Sequence, residues 1–171
     1  VTGVQTCALP IYNARVMVVG VGGGRDILSS LHFKQRETWG VEINQAIFHT
    51  LITRFGDYTH HLAQMPGVKL INDEARSFLT RTKEKFDIIQ VSLIDTWAAS
   101  AAGAFVLTEN SLYTQEAWAR MLNRLTPTGI LTFSRWYSPE RPWEIYRLTA
   151  LASRALRNHG ISDPDRKSTR L

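Results

Sequence analysis

Cysteine is almost missing from these 171 residues; the only one is Cys7. A single thiol excludes a disulfide framework and a cysteine-based metal site, and it suits a reducing, cytoplasmic setting. No stretch approaches 18 consecutive apolar residues, so nothing in this sequence reads as a membrane-spanning helix. Lys/Arg-rich blocks with interleaved aromatics are also missing, which leaves no nucleic-acid footprint. His60-His61 has no acidic or cysteine companion at ligand spacing, so the pair reads as surface and no metal site is expected. Repeats and low-complexity segments do not occur.

The two ends fit poorly with the rest. Residues 1–11 and 165–171 resemble translated sequencing-adapter read-through, and segments of that kind are excluded from fold reasoning. The domain expected on this reading is 12–164, truncated on both sides. Without Arg166, Lys167, Arg170 and Asp165 the chain keeps 17 basic and 14 acidic residues, and its net charge falls from +5 to +3. An excess of that size is a solubility feature.

What is present is a strict alternation of strands and helices. Val16–Val19 is a continuous apolar run, the mark of a strand covered on both faces. Thr38–Ile43, Val68–Ile71, Phe86–Leu93 and Ile130–Trp136 read as further strands. Helices are expected over Asp26–His32, after Asn44 with Ile47, Leu51 and Phe55 inward, after Asp73, after Thr114, and from Pro142 to about Arg157. Five strands alternating with helices predict a parallel α/β sheet with right-handed crossovers. Ligands in such sheets bind beyond the carboxyl ends of the strands.

Those ends carry the candidate residues. Val19 runs into Gly20-Val21-Gly22-Gly23-Gly24, where the backbone can pass close to a ligand. Glu42, ending the second strand, falls where a doubly wound fold hydrogen-bonds two ribose hydroxyls. Asp73 and Glu74 follow the third strand, and Ser92 to Trp97 end the fourth. Asp73 serves equally well as a helix cap, and Asp95 as a cap within the long connection 94–113. A dinucleotide fingerprint needs its third glycine at position 25, which is Arg. Glycines at 20, 22 and 24 give instead the G-x-G-x-G spacing of S-adenosylmethionine-binding proteins, with NAD as the alternative.

From Val16 to Trp136 the chain resembles the spermidine synthase-like branch of the class I methyltransferase fold. The resemblance rests on Val18-Val19-Gly20-Val21-Gly22-Gly23-Gly24, Val41-Glu42-Ile43-Asn44, Asp73-Glu74-Ala75-Arg76-Ser77-Phe78-Leu79, Lys85-Phe86-Asp87-Ile88-Ile89 and Leu112-Tyr113-Thr114-Gln115-Glu116-Ala117-Trp118. It implies a Rossmann-like sheet in the order 3-2-1-4-5 with helices on both faces. It also implies a C-terminal hairpin that this sequence stops short of. By position, Gly20, Gly22, Gly23 and Gly24 line the methionine or aminopropyl arm of S-adenosylmethionine or its decarboxylated form. Glu42 takes the ribose hydroxyls, and Glu74, with Asp73 as second candidate, takes the adenine amino group.

Two departures separate the chain from that branch. Gly23 stands where the branch carries an Asp that holds the aminopropyl amine. The branch's D-x-x-D is here Ser92-Leu93-Ile94-Asp95, so Ser92 occupies the catalytic Asp position and only Asp95 remains as a candidate base. A serine hydroxyl is no base for an ammonium near neutral pH. The expectation is therefore a transferase that binds S-adenosylmethionine and methylates a small-molecule acceptor. Aminopropyl transfer is the alternative, and a non-catalytic nucleoside-binding module of a larger membrane protein is the second. Homodimerisation stays open.

Overall fold

A computed structural model of the chain describes residues 12–94, 111–135, 139–140 and 142–164. Two compact units divide these residues, 12–94 with Arg124–Ser134 forming the first and 111–123 with residues from Arg135 onward forming the second.

The first unit is built on a five-stranded sheet. Its strands are β1 (Arg15–Val19), β2 (Glu37–Glu42), β3 (Val68–Asn72), β4 (Phe86–Ser92) and β5 (Leu125–Ser134). They lie in the order β3-β2-β1-β4-β5, and every pairing is parallel. The helices between them are α1 (Arg25–His32), α2 (Gln45–Ile52), a short 3-10 turn (Leu62–Gln64) and α3 (Ala75–Arg81). The expected α/β architecture and strand order are what the chain adopts.

Side chains alternate between the sheet's faces, which fixes what each face meets. Val16, Val18 and Ile88 share a buried cluster with Ile27 of α1, Leu51 of α2 and Leu62 of the 3-10 turn. On the other face, the Trp39 ring of β2 stands 5.9 Å from the Phe78 ring of α3. Covered on both faces, β1 has no solvent side to mark with polar residues, which explains its uninterrupted apolar run.

Three local expectations change. The helix after the third strand is capped by Glu74 rather than Asp73, because the longer side chain folds back to accept from Arg76 N–H and Ser77 N–H, each at 2.8 Å. Of the inward residues expected on α2, only Leu51 is buried. Ile47 is half exposed, and Phe55 lies past the helix end at Ile52. The fifth strand, expected from Ile130, begins instead at Leu125 and takes in Pro127-Thr128-Gly129. There Phe86 pairs with Leu125 and Ile88 with Ile130, so the intervening residues bulge out of the ladder.

The second unit contains α4 (Gln115–Asn123) and α5 (Trp143–Asn158), which pack on each other. Thr114 caps α4, its hydroxyl accepting Ala117 N–H at 3.2 Å, and Ala117, Trp118 and Met121 form the buried stripe. In the same unit Arg135 donates to the Tyr113 hydroxyl at 3.0 Å and pairs with Glu144 at 2.6 Å. Burial first, and the Glu144 carboxylate second, push the Tyr113 phenol pKa well above its ordinary value. No helix among the described residues is long and apolar enough to cross a membrane.

Candidate functional site

The carboxyl ends of β1, β2, β3 and β4 lie side by side in the first unit, and parallel pairing brings their candidate residues together. After Val19 the backbone turns through Gly20 (φ +78°), Gly22 (φ +51°) and Gly24 (φ +84°), a left-handed conformation at alternate positions. Gly24 is the position where this matters most. It caps α1, and a Cβ there would clash with Leu62 Cδ1 as well as demanding a strained φ. Gly23 differs, since nothing lies within 4 Å of where its Cβ would be. The loop is backed by the core at Gly24 and open at Gly23.

Glu42 locks this loop. Its carboxylate is 5% exposed, with Oε2 accepting Gly22 N–H at 3.0 Å and Oε1 accepting Asn44 N–H at 2.9 Å. Asn44 in turn caps α2, its Oδ1 accepting from Ala46 and Ile47 N–H. A carboxylate offers about four lone-pair positions. Each Glu42 oxygen has spent one, and one on each remains for a pair of vicinal hydroxyls.

At the end of β3, Asp73 N–H donates to Glu42 C=O at 3.0 Å, placing Asp73 and Glu74 beside the ribose candidate. Asp73 accepts Glu74 N–H through Oδ1 and pairs with Arg81 through Oδ2. Glu74 Oε2 takes both the Ser77 N–H and hydroxyl, whereas Oε1 takes the Arg76 N–H.

Ser92 closes β4, buried, and accepts a hydrogen bond from Gln90 Nε2 at 3.0 Å. Gln90 is a buried polar residue that sequence reasoning passed over; the signal was a long polar side chain inside the otherwise apolar Ile88-Ile89-Gln90-Val91. Asp95, together with Trp97 and 98–110, lies outside the described residues, as do 1–11 and 165–171.

A cavity of about 490 Å³ opens between the glycine loop and α2, with Gly22, Gly23, Asn44, Ile47, Leu51 and Phe55 in its wall. It accounts for the exposure of Ile47 and Phe55, which border open space rather than core. Ligand pockets of this size are mostly apolar with a few polar groups, as here. Among the described residues no group of His, Cys, Asp and Glu could hold a metal ion.

No protein-family model and no curated protein sequence matches the chain. Solved structures do. Spermidine synthase from Thermotoga maritima superposes with a TM-score of 0.61 at 15% identity, over 88% of this chain and 45% of that one. Precorrin 8w decarboxylase from Methanobacterium thermoautotrophicum gives 0.56 at 19% identity, over 90% and 66%. The glycopeptide N-methyltransferase MtfA, complexed with sinefungin, gives 0.56 at 14% identity, over 77% and 50%. The chain thus spans less than half the length of the spermidine synthase it matches. At these identities the likeness establishes the fold, which is the Rossmann-like fold of class I methyltransferases and spermidine synthases.

Proposed function

We propose that this chain binds S-adenosylmethionine and belongs to a transferase that passes its methyl group to a small-molecule acceptor in the cytoplasm. The observation that carries the reading is the Glu42 carboxylate, buried between Gly22 N–H and Asn44 N–H with an acceptor position left on each oxygen. The residues present fit the nucleoside. Glu42 holds the ribose hydroxyls, Glu74 with Asp73 beside it holds the adenine amino group, and Gly20, Gly22, Gly23 and Gly24 lie along the amino-acid arm. When bound, the cofactor supplies a methyl group activated on a sulfonium.

The chain's own contribution is positioning. Glu42 fixes loop and ribose together, so the cofactor meets a preformed backbone cradle rather than ordering one. Asp95 is the candidate base for the acceptor. Gly23 and Ser92, both uncharged, argue against holding and deprotonating a polyamine, and so favour methyl over aminopropyl transfer. The solved spermidine synthases keep the second reading in play, one of them being in complex with the transition state analogue AdoDATO.

Calorimetric titration of the chain with S-adenosylmethionine, its decarboxylated form and NAD separates these readings. Tighter binding of the carboxylated form supports methyl transfer, and preference for the decarboxylated form supports aminopropyl transfer. Binding of NAD alone overturns both.

A further inference from the structure

Gln90 stands in the middle of the sheet, flanked in register by Val18 of β1 and Thr132 of β5, and is 2% exposed. Its Nε2 reaches Ser92 Oγ, two residues further along the same face, so the amide points toward the carboxyl end of β4. There Gln90 Oε1 is buried and accepts no hydrogen bond among the described residues. The glycine loop begins at the same place. Val19 pairs with Val91, and Ile94 Cγ2 lies 2.8 Å from where a Gly20 Cβ would stand.

A strand shaped only for packing has no use for an amide here. Buried polar atoms in folded proteins are almost always matched, and an orphaned one asks for its partner to be identified. We propose that Gln90 Oε1 accepts a hydrogen bond from the ammonium group on the amino-acid arm of S-adenosylmethionine. The inference rests on the cofactor reading above, which lays that arm along Gly20–Gly24, the part of the ligand nearest Gln90. Of the arm's two polar groups the carboxylate only accepts, so the ammonium alone complements Oε1. A neutral amide suits a zwitterion, because it holds the ammonium without repelling the neighbouring carboxylate. The decarboxylated cofactor carries the same amine, so Gln90 does not choose between the two forms.

The test compares the full chain with its Gln90→Leu and Gln90→Met variants. Each is titrated with S-adenosylmethionine and with 5′-methylthioadenosine, which keeps the nucleoside and thioether but lacks the arm. Melting midpoints are recorded alongside. The expected result is a loss of about tenfold or more in S-adenosylmethionine affinity, as for a hydrogen bond to a charged group. Affinity for 5′-methylthioadenosine stays unchanged, and the melting midpoint shifts little, because the variants remove an unmatched buried acceptor together with the one hydrogen bond from Nε2 to Ser92. Unchanged S-adenosylmethionine affinity overturns the proposal, and so does a parallel loss for both ligands, which marks damage to the sheet. A wild-type chain that binds neither ligand overturns the cofactor reading itself and this inference with it. The methionine variant supplies the same comparison if the leucine variant does not fold.

Discussion

Glu42 Oε2 accepts the backbone N–H of Gly22 at 3.0 Å, so the carboxylate that ends β2 fixes the loop that follows β1. One side chain thus shapes the loop and, on the proposed reading, also takes the ribose hydroxyls. Glu42→Ala removes both functions and is expected to lower S-adenosylmethionine affinity by about tenfold or more, since hydrogen bonds to charged groups contribute about 1.5–3 kcal/mol. Glu42→Gln keeps the size but turns a donor toward one of two backbone N–H groups, so it also binds more weakly. Titration of both variants checks this, and wild-type affinity in Glu42→Gln would remove Glu42 from the ribose site.

Gly23 and Gly24 are adjacent but answer to different constraints. Gly24→Ala must accommodate φ +84° and a Cβ crowded against Leu62 Cδ1, so it is expected to destabilise the fold by about 1–3 kcal/mol. Gly23→Ala meets nothing within 4 Å and should change stability by less than about 0.5 kcal/mol. If the open side of the loop receives the cofactor arm, Gly23→Ala nevertheless binds S-adenosylmethionine more weakly. Thermal melts paired with titration separate the two effects, and a Gly24→Ala chain as stable as wild type contradicts the loop conformation.

Glu74 has a structural task that hides its proposed one. Removing the cap in Glu74→Ala is expected to cost about 1 kcal/mol. Glu74→Ser restores a capping oxygen but is too short to reach an adenine beyond the strand end. The serine variant should therefore recover the melting midpoint of wild type without recovering its affinity. Full recovery of both identifies Glu74 as a cap alone and leaves the adenine to Asp73.

Much of this was legible in the chain because the sheet is buried on both faces. Val16–Val19 could be read as a central strand from its composition, and Asn44 as a cap from its position before the periodic run. Asp73 and Glu74 were harder to separate. Both can cap, and side-chain length decides only once the backbone places the two N–H groups of Arg76 and Ser77. Ile47 and Phe55 have the spacing of a buried stripe, yet α2 ends at Ile52 and the stripe opens onto a cavity, which periodicity alone does not reveal. Gln90 escaped because a single polar residue in an apolar strand carries no spacing signal; its unmatched oxygen is visible only with the neighbours in place.

Tyr113 gives the second unit an alkaline signature. Its phenol is held protonated above the ordinary value of 10, through burial and then the Glu144 carboxylate. A group whose pKa is raised on folding contributes stability that is complete below the unfolded value and is lost as pH rises toward the folded one. Stability should therefore decline from about pH 10 upward, more steeply in the wild type than in Tyr113→Phe. The variant starts lower at neutral pH by about 1 kcal/mol, because Arg135 loses a hydrogen-bond acceptor. Denaturation curves at pH 8 and pH 11 measure the difference, and equal slopes would show that the phenol ionises as freely in the fold as outside it.

Glu37 provides the acidic counterpart in the first unit. Its Oε1 accepts from Lys69 Nζ at 2.6 Å and its Oε2 pairs with Arg15 Nε at 2.7 Å. The Lys69 hydrogen bond is the main cause holding its carboxyl below the ordinary value of 4.5, with Arg15 adding to it. Lys69 is itself fixed, its Nζ lying 4.3 Å from the Trp39 ring centroid. A carboxylate whose pKa is lowered on folding contributes stability present above its unfolded pKa, and that contribution is lost as pH falls through the folded one. The stability gap between wild type and Glu37→Gln should therefore be widest near neutral pH and narrow as pH drops below about 4.5. Urea denaturation of both proteins at pH 7 and pH 3 reads the gap directly. A gap that stays constant between those two pH values would mean that Arg15 and Lys69 add nothing to stability through their charge, leaving Glu37 a hydrogen-bonding group at the start of β2.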